Sequence, residues 1–158
     1  DARPTAIETC HRQRQTFAMR GFLLLITVFV CSSCIAQDPY VVLKGQRFTV
    51  ELAETSDKQV LGMMFRDHLE DDHGMLFLFP VESRRSFWMK NTRIPLDILY
   101  FDADRQLLNV AENARPCRSR SCPRYLSAGP AKYVLELNGG KAAELGVRPG
   151  DELKLYID

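Results

Sequence analysis

The chain has 158 residues, 46% of them hydrophobic, with a formal net charge of +1. That balance suits one globular domain and excludes disordered chains and proteins that coat nucleic acid.

Arg12, Arg14 and Arg20 precede an apolar run from Gly21 to Cys31. As a helix this run spans about 15 Å, half the thickness of a bilayer core. A basic stretch, a short apolar run and the small residues Ser32, Ser33 and Ala36 together form the layout of a bacterial export signal. With Met19 standing before Arg20, residues 1–18 read as an upstream extension, 19–37 as the signal and 38–158 as a single domain of the periplasm or cell envelope. Two processing outcomes compete. Cleavage after Ala36 releases a soluble chain, whereas cleavage before Cys34 leaves a cysteine open to lipidation, the one membrane tether expected.

Of five cysteines, Cys10 and Cys31 fall in the removed part and Cys34 is removed or lipidated. Cys117 and Cys122 remain, and in an oxidising compartment they would close as a disulfide. Half of a zinc site is the competing account, and it lacks a second Cys/His pair.

From Asp38 onward strands dominate. Phe48, Val50 and Leu52 alternate with polar or small residues, as a strand with one wet face requires. Ser56 and Gln59 read as a capping box opening a helix to about Phe65. Met75–Phe79 and Leu96–Phe101 are continuous apolar runs, hence strands covered on both faces. Further strands are read over Ser86–Asn91, Leu107–Ala111, Tyr133–Asn138 and Glu152–Ile157, with a brief helical turn at Lys141–Leu145 between glycines. Seven or so short strands and one or two short helices suggest a mostly β domain, an antiparallel sandwich or partly closed barrel.

Several short motifs carry a resemblance. Gly62-Met63-Met64-Phe65-Arg66, Gly74-Met75-Leu76-Phe77, Phe87-Trp88-Met89-Lys90-Asn91-Thr92 and Ile94-Pro95-Leu96-Asp97 are followed by Cys117, Cys122-Pro123, Tyr125, Leu135-Glu136-Leu137-Asn138 and Gly150-Asp151. The series, over nearly all of residues 40–158, resembles the bacterial and archaeal family known as domain of unknown function 192. The resemblance implies a small, often exported, jelly-roll-like β domain and no established activity; Met63, where the family often has Leu, is a minor departure.

The residues must therefore supply the chemistry. Alternation along Ser86–Asn91 puts Phe87 and Met89 in the core and Trp88 and Lys90 on the other face. An indole beside a cation can stack a sugar ring or hold an anionic group. Asn91 adds donors and an acceptor, Pro95 stiffens the turn presenting Asp97, and the guanidinium of Arg66 suits carboxylate or phosphate. The expectation is a small anionic or sugar ligand bound by Arg66, Trp88, Lys90, Asn91 and Asp97, with no metal, cofactor or nucleic acid. Arg115, Arg118, Arg120 and Arg124, with Arg84 and Arg85, would suit an anionic envelope glycan. In each case a bland account competes: Trp88 packs on a loop, the charges pair, and the arginines solubilise a loop.

A second class is a hydrolase of envelope or extracellular glycans using Asp97 or Glu136 as acid or base, although Glu136 and Asn138 also read as a solvated strand face. His68, His73 and the methionines suggest copper only weakly, since Met75 and Met89 sit where methionine fills a core. No nucleophile elbow, phosphate loop or dinucleotide fingerprint is present.

Overall fold

The computed structural model describes residues 37–157. The expected upstream extension and residues 19–36 of the export signal, Cys34 among them, lie outside the described residues. The domain is mostly β, as the patterning implies. Strands β1 (Tyr40–Leu43) and β2 (Gln46–Ala53) form a hairpin. Its two-residue turn places Lys44 and Gly45 at φ of 53° and 83°, the left-handed pair whose twist matches that of paired strands. β1 was not anticipated.

Helix α1 (Ser56–Leu61) is shorter than the sequence reading. It stops because Gly62 takes φ 48° and returns its N–H to the Lys58 carbonyl. Its cap also lies one residue earlier than expected: the Thr55 hydroxyl accepts from the Lys58 N–H, while the Gln59 amide donates to the carbonyls of Ala53 and Leu78. No residue of α1 is buried, so the helix serves as a connection and not as core.

The remaining elements are β3 (His73–Phe87), β4 (Leu96–Phe101), β5 (Leu107–Ala114), β6 (Tyr125–Asn138), α2 (Lys141–Leu145) and β7 (Leu153–Tyr156). The seven strands form one sheet in the order β5-β4-β6-β3-β2-β1-β7. Every neighbour is antiparallel except β2 and β3, which run parallel. The outer strands approach one another at one end: Gln106 bridges Glu152, the Leu107 N–H donates to Asp151 and the Leu153 N–H to Arg105, both at 2.9 Å. The sheet thus curls into a partly closed barrel.

The two sides of the sheet carry separate cores. Leu107 and Leu153, from opposite edges, meet Val41, Phe48, Leu76, Leu99 and Leu135 on the concave side. Met75, Phe77, Ile98, Tyr100 and Val134 occupy the convex side, where Met63, Leu69 and Met89 of the connecting loops cover them. All six residues of β4 are buried, because this strand is sealed on both faces. Ser86–Asn91 differs from its expected form: the ladder ends at Phe87, and Lys90 retains only an isolated bridge to Cys117.

Candidate functional site

Beyond the end of β3 the inferred alternation persists without a ladder: Met89 is buried and Trp88 and Lys90 are half-buried. The Lys90 ammonium lies 5.1 Å from the centre of the Trp88 ring, and the Arg124 guanidinium carbon lies 4.3 Å from it. Arg124 reaches this place because Phe87 pairs with Tyr125 in the β3–β6 ladder, which sets Arg124 opposite Trp88; the Cys117–Cys122 disulfide closes the loop just before it. The same backbone is held to the Trp88 segment by Asn91 N–H to Cys117 at 2.9 Å and Cys117 N–H to Met89 at 3.0 Å. The disulfide also removes the half-site reading for zinc.

A groove of about 500 Å³ opens beside Trp88 and includes Ser56, Ser86, Arg84, Arg85 and Arg124, with no carboxylate in its lining. Among the described residues, none of Arg84, Lys90 and Arg124 forms an ion pair. Arg85 is more constrained. Its guanidinium donates to the carbonyls of Ala131 and Val81 and lies over Phe79, and burial lowers its pKa.

A small cavity of about 30 Å³ shares Gln59, Val60, Phe87 and Trp88 with this groove. Glu136 stands at its base, only 4% exposed, and its Oε2 has no hydrogen-bond partner. Burial pushes this carboxyl up to about 8, partly opposed by Arg66, so it is chiefly protonated at neutral pH. Two glycines shape the surroundings. A Cβ at Gly74 would stand 2.7 Å from the Glu136 carbonyl oxygen, and one at Gly62 would stand 3.9 Å from Oε2. The sequence reading assigned Glu136 to a wet face. Alternation placed it on the correct side of the sheet, but the loop after α1 covers that side.

Arg66 belongs to a neighbouring groove of about 680 Å³. Both of its terminal nitrogens bond Glu51 on β2. That contact lowers the Glu51 pKa and raises that of Arg66. This groove is larger, but its principal cation is already paired.

Asn91 turns away from Trp88. It adopts φ 58°, accepts the Phe65 N–H at its carbonyl and directs its side-chain amide toward the Met64 sulfur at 4.0 Å. Phe65 is itself at φ 66°, so two residues in a disfavoured left-handed conformation join the loops that roof the Glu136 cavity.

Asp97 lies elsewhere, which corrects its grouping with Trp88. It is fully buried; Oδ1 accepts from Asn113 N–H at 2.6 Å and Gly140 N–H at 3.1 Å, and Oδ2 from Ala142 N–H at 2.7 Å. The carboxylate thereby fastens the start of α2 to the sheet. The register explains its direction: Ile98 pairs with Glu136, whereas Asp97 pairs with Leu137, so the two carboxyls point to opposite faces. They cannot flank one scissile bond.

His68 and His73 lie beside Glu70 and Asp72 respectively. Among the described residues, no three His, Cys, Asp or Glu side chains gather. Met63, Met75 and Met89 are core residues, which removes the soft-ligand set considered for copper.

The family model of domain of unknown function 192, described as "Uncharacterized ACR", matches residues 40–155. A UPF0127 protein of Thermococcus sibiricus is 28% identical over 122 residues, 73% of this chain and 72% of the relative. One from Pyrococcus furiosus is 26% identical over 117 residues, 72% and 93% respectively. Among solved structures, a protein of unknown function from Novosphingobium aromaticivorans is 44% identical with a TM-score of 0.67, covering 73% of this chain and 82% of its own. A proposed transcription regulator of Sinorhizobium meliloti is 38% identical with a TM-score of 0.67, covering 74% and 91%.

Proposed function

For a chain that belongs to the domain of unknown function 192 family, we propose a role as an exported envelope module that binds anionic glycans in the groove beside Trp88. The observation that carries the reading is a groove with Arg84, Arg85, Arg124 and an indole in its lining and no acid to neutralise them. Guanidinium groups bind carboxylate or phosphate through paired donors, and the indole holds Arg124 and Lys90 over its ring at the edge of the groove. Lys90 adds a further unpaired cation next to the indole. The export reading draws on residues 19–37 and on the Cys117–Cys122 bond, which suits an oxidising compartment.

A hydrolase is less well supported, because Asp97 and Glu136 lie on opposite faces. The regulator description of the Sinorhizobium meliloti relative also finds little counterpart here. The helices among the described residues have 6 and 5 residues, too short to serve as a recognition helix in a DNA groove.

Calorimetric titration of the full chain with an oligogalacturonate and with a neutral maltooligosaccharide tests the reading. The uronate should bind, the neutral sugar should not, and Arg84→Ala combined with Arg124→Ala should weaken uronate binding at least tenfold. Equal binding of both sugars, or unchanged affinity in the double variant, would overturn it.

A further inference from the structure

The geometry points to a second subsite, inward of Trp88, where the Glu136 carboxyl receives one neutral hydroxyl of the ligand whose acidic group lies on the arginines. This rests on the groove reading and narrows the ligand to an anion that also carries a hydroxylated body, as in a sugar acid.

Three independent observations converge on the cavity. Glu136 is almost wholly buried and its Oε2 is without a partner, a costly condition for a polar atom unless something completes it. The cavity volume of about 30 Å³ admits one water-sized group. The groove and the cavity share the Trp88 wall, so a ligand lying along the edge of that wall would have its acidic end among the guanidiniums and its hydroxylated body toward Glu136.

A hydroxyl is the fitting partner because it both donates and accepts, and a protonated carboxyl does the same. A second acidic group is not, since the ligand would bring its charge into an apolar wall. The charged and titratable groups facing Glu136 are few. Arg66 acts on it from the loop after α1 but has both terminal nitrogens on Glu51 of β2, and Tyr100 of β4 lies near enough to feel its charge. β3 contributes Met75 and Phe77, and α1 contributes the uncharged Gln59. With the carboxyl protonated, the subsite donates to the ligand oxygen. Once it ionises, it still accepts the hydroxyl but repels any anion held on the arginines, so affinity for every such anion should fall as pH rises through about 8.

The test compares glucuronate with cyclohexanecarboxylate, which has the same charge and no hydroxyl, by calorimetry on the full chain from pH 6 to 9.5. Both should bind through the arginines. At pH 6 glucuronate should bind at least tenfold tighter, and the affinities of both compounds should fall as pH rises to 9.5. Glu136→Gln, uncharged at every pH, should keep the advantage with no such fall, and Glu136→Ala should lose the advantage throughout. A ratio near one at pH 6 would mean that water alone fills the cavity, overturning the subsite while leaving the groove in place. Affinities that do not change with pH in the unaltered chain would also overturn it. If neither compound binds, the groove reading fails and the subsite falls with it.

Discussion

Replacing Glu136 by Gln removes a carboxyl whose fold-dependent ionisation should make stability fall with pH between mildly acid and mildly alkaline conditions. In the folded chain this group titrates at about 8, against an ordinary value of 4.5. Between those values the folded state holds a proton that the unfolded state has released, so stability must fall as pH rises across that window. At about 1.4 kcal/mol per pK unit the loss is on the order of a few kcal/mol. Thermal melts at pH 5 and pH 8 should show the Gln variant gaining on the unaltered chain as pH rises; a constant difference would show that Glu136 is ionised or solvated in the fold. Single residues were also where sequence was least informative. Trp88 and Lys90 were found because they occupy alternate positions in a short apolar pattern and therefore share a side. The burial of Glu136 depends on Gly62 and Met63, more than seventy positions away in the chain, and no local pattern encodes that contact. Asp97 was misassigned for a related reason. An ionisable residue inside the run LDILYF must be buried, but its partners at Asn113, Gly140 and Ala142 are distant in sequence.

Elements with a clear period were legible, and those interrupted by polar residues were not. β4 reads directly as a strand covered on both faces. β3 was divided in two because its middle, Pro80 to Ser86, carries exposed and charged residues; the ladder crosses that region through two irregularities in register with β6. Residues 115–124 form a short connection closed by the disulfide; backbone hydrogen bonds tie Cys117 to Met89 and Asn91, and the pairing of Phe87 with Tyr125 sets Arg124 beside Trp88. Closing so small a ring contributes about 2 kcal/mol by the chain-entropy estimate. Reduction should therefore lower the free energy of unfolding by about that amount and leave oligogalacturonate binding nearly unchanged, because the ladder that sets Arg124 persists. A large loss of affinity on reduction, with thiol titration confirming the reduction and circular dichroism an intact sheet, would show that the loop and not the ladder positions Arg124.

At the scale of the whole molecule, the curled sheet divides the tasks between its two faces. The concave side is closed by aliphatic side chains from both edge strands and holds the fold together. The convex side is covered by loops, and the loops leave the groove, the cavity and the unpaired cations. A net charge of +1 over the full chain therefore coexists with a groove lined by three arginines and no acid, an asymmetry that composition conceals and folding creates. Trp88 is the only tryptophan in the chain, so its emission reports on this groove without any label. Oligogalacturonate added to the full chain should change that emission saturably at low ionic strength, with affinity weakening as salt screens the arginines. Emission that stays constant, or that responds equally to a neutral oligosaccharide, would contradict the assignment of the groove as an anionic-glycan site.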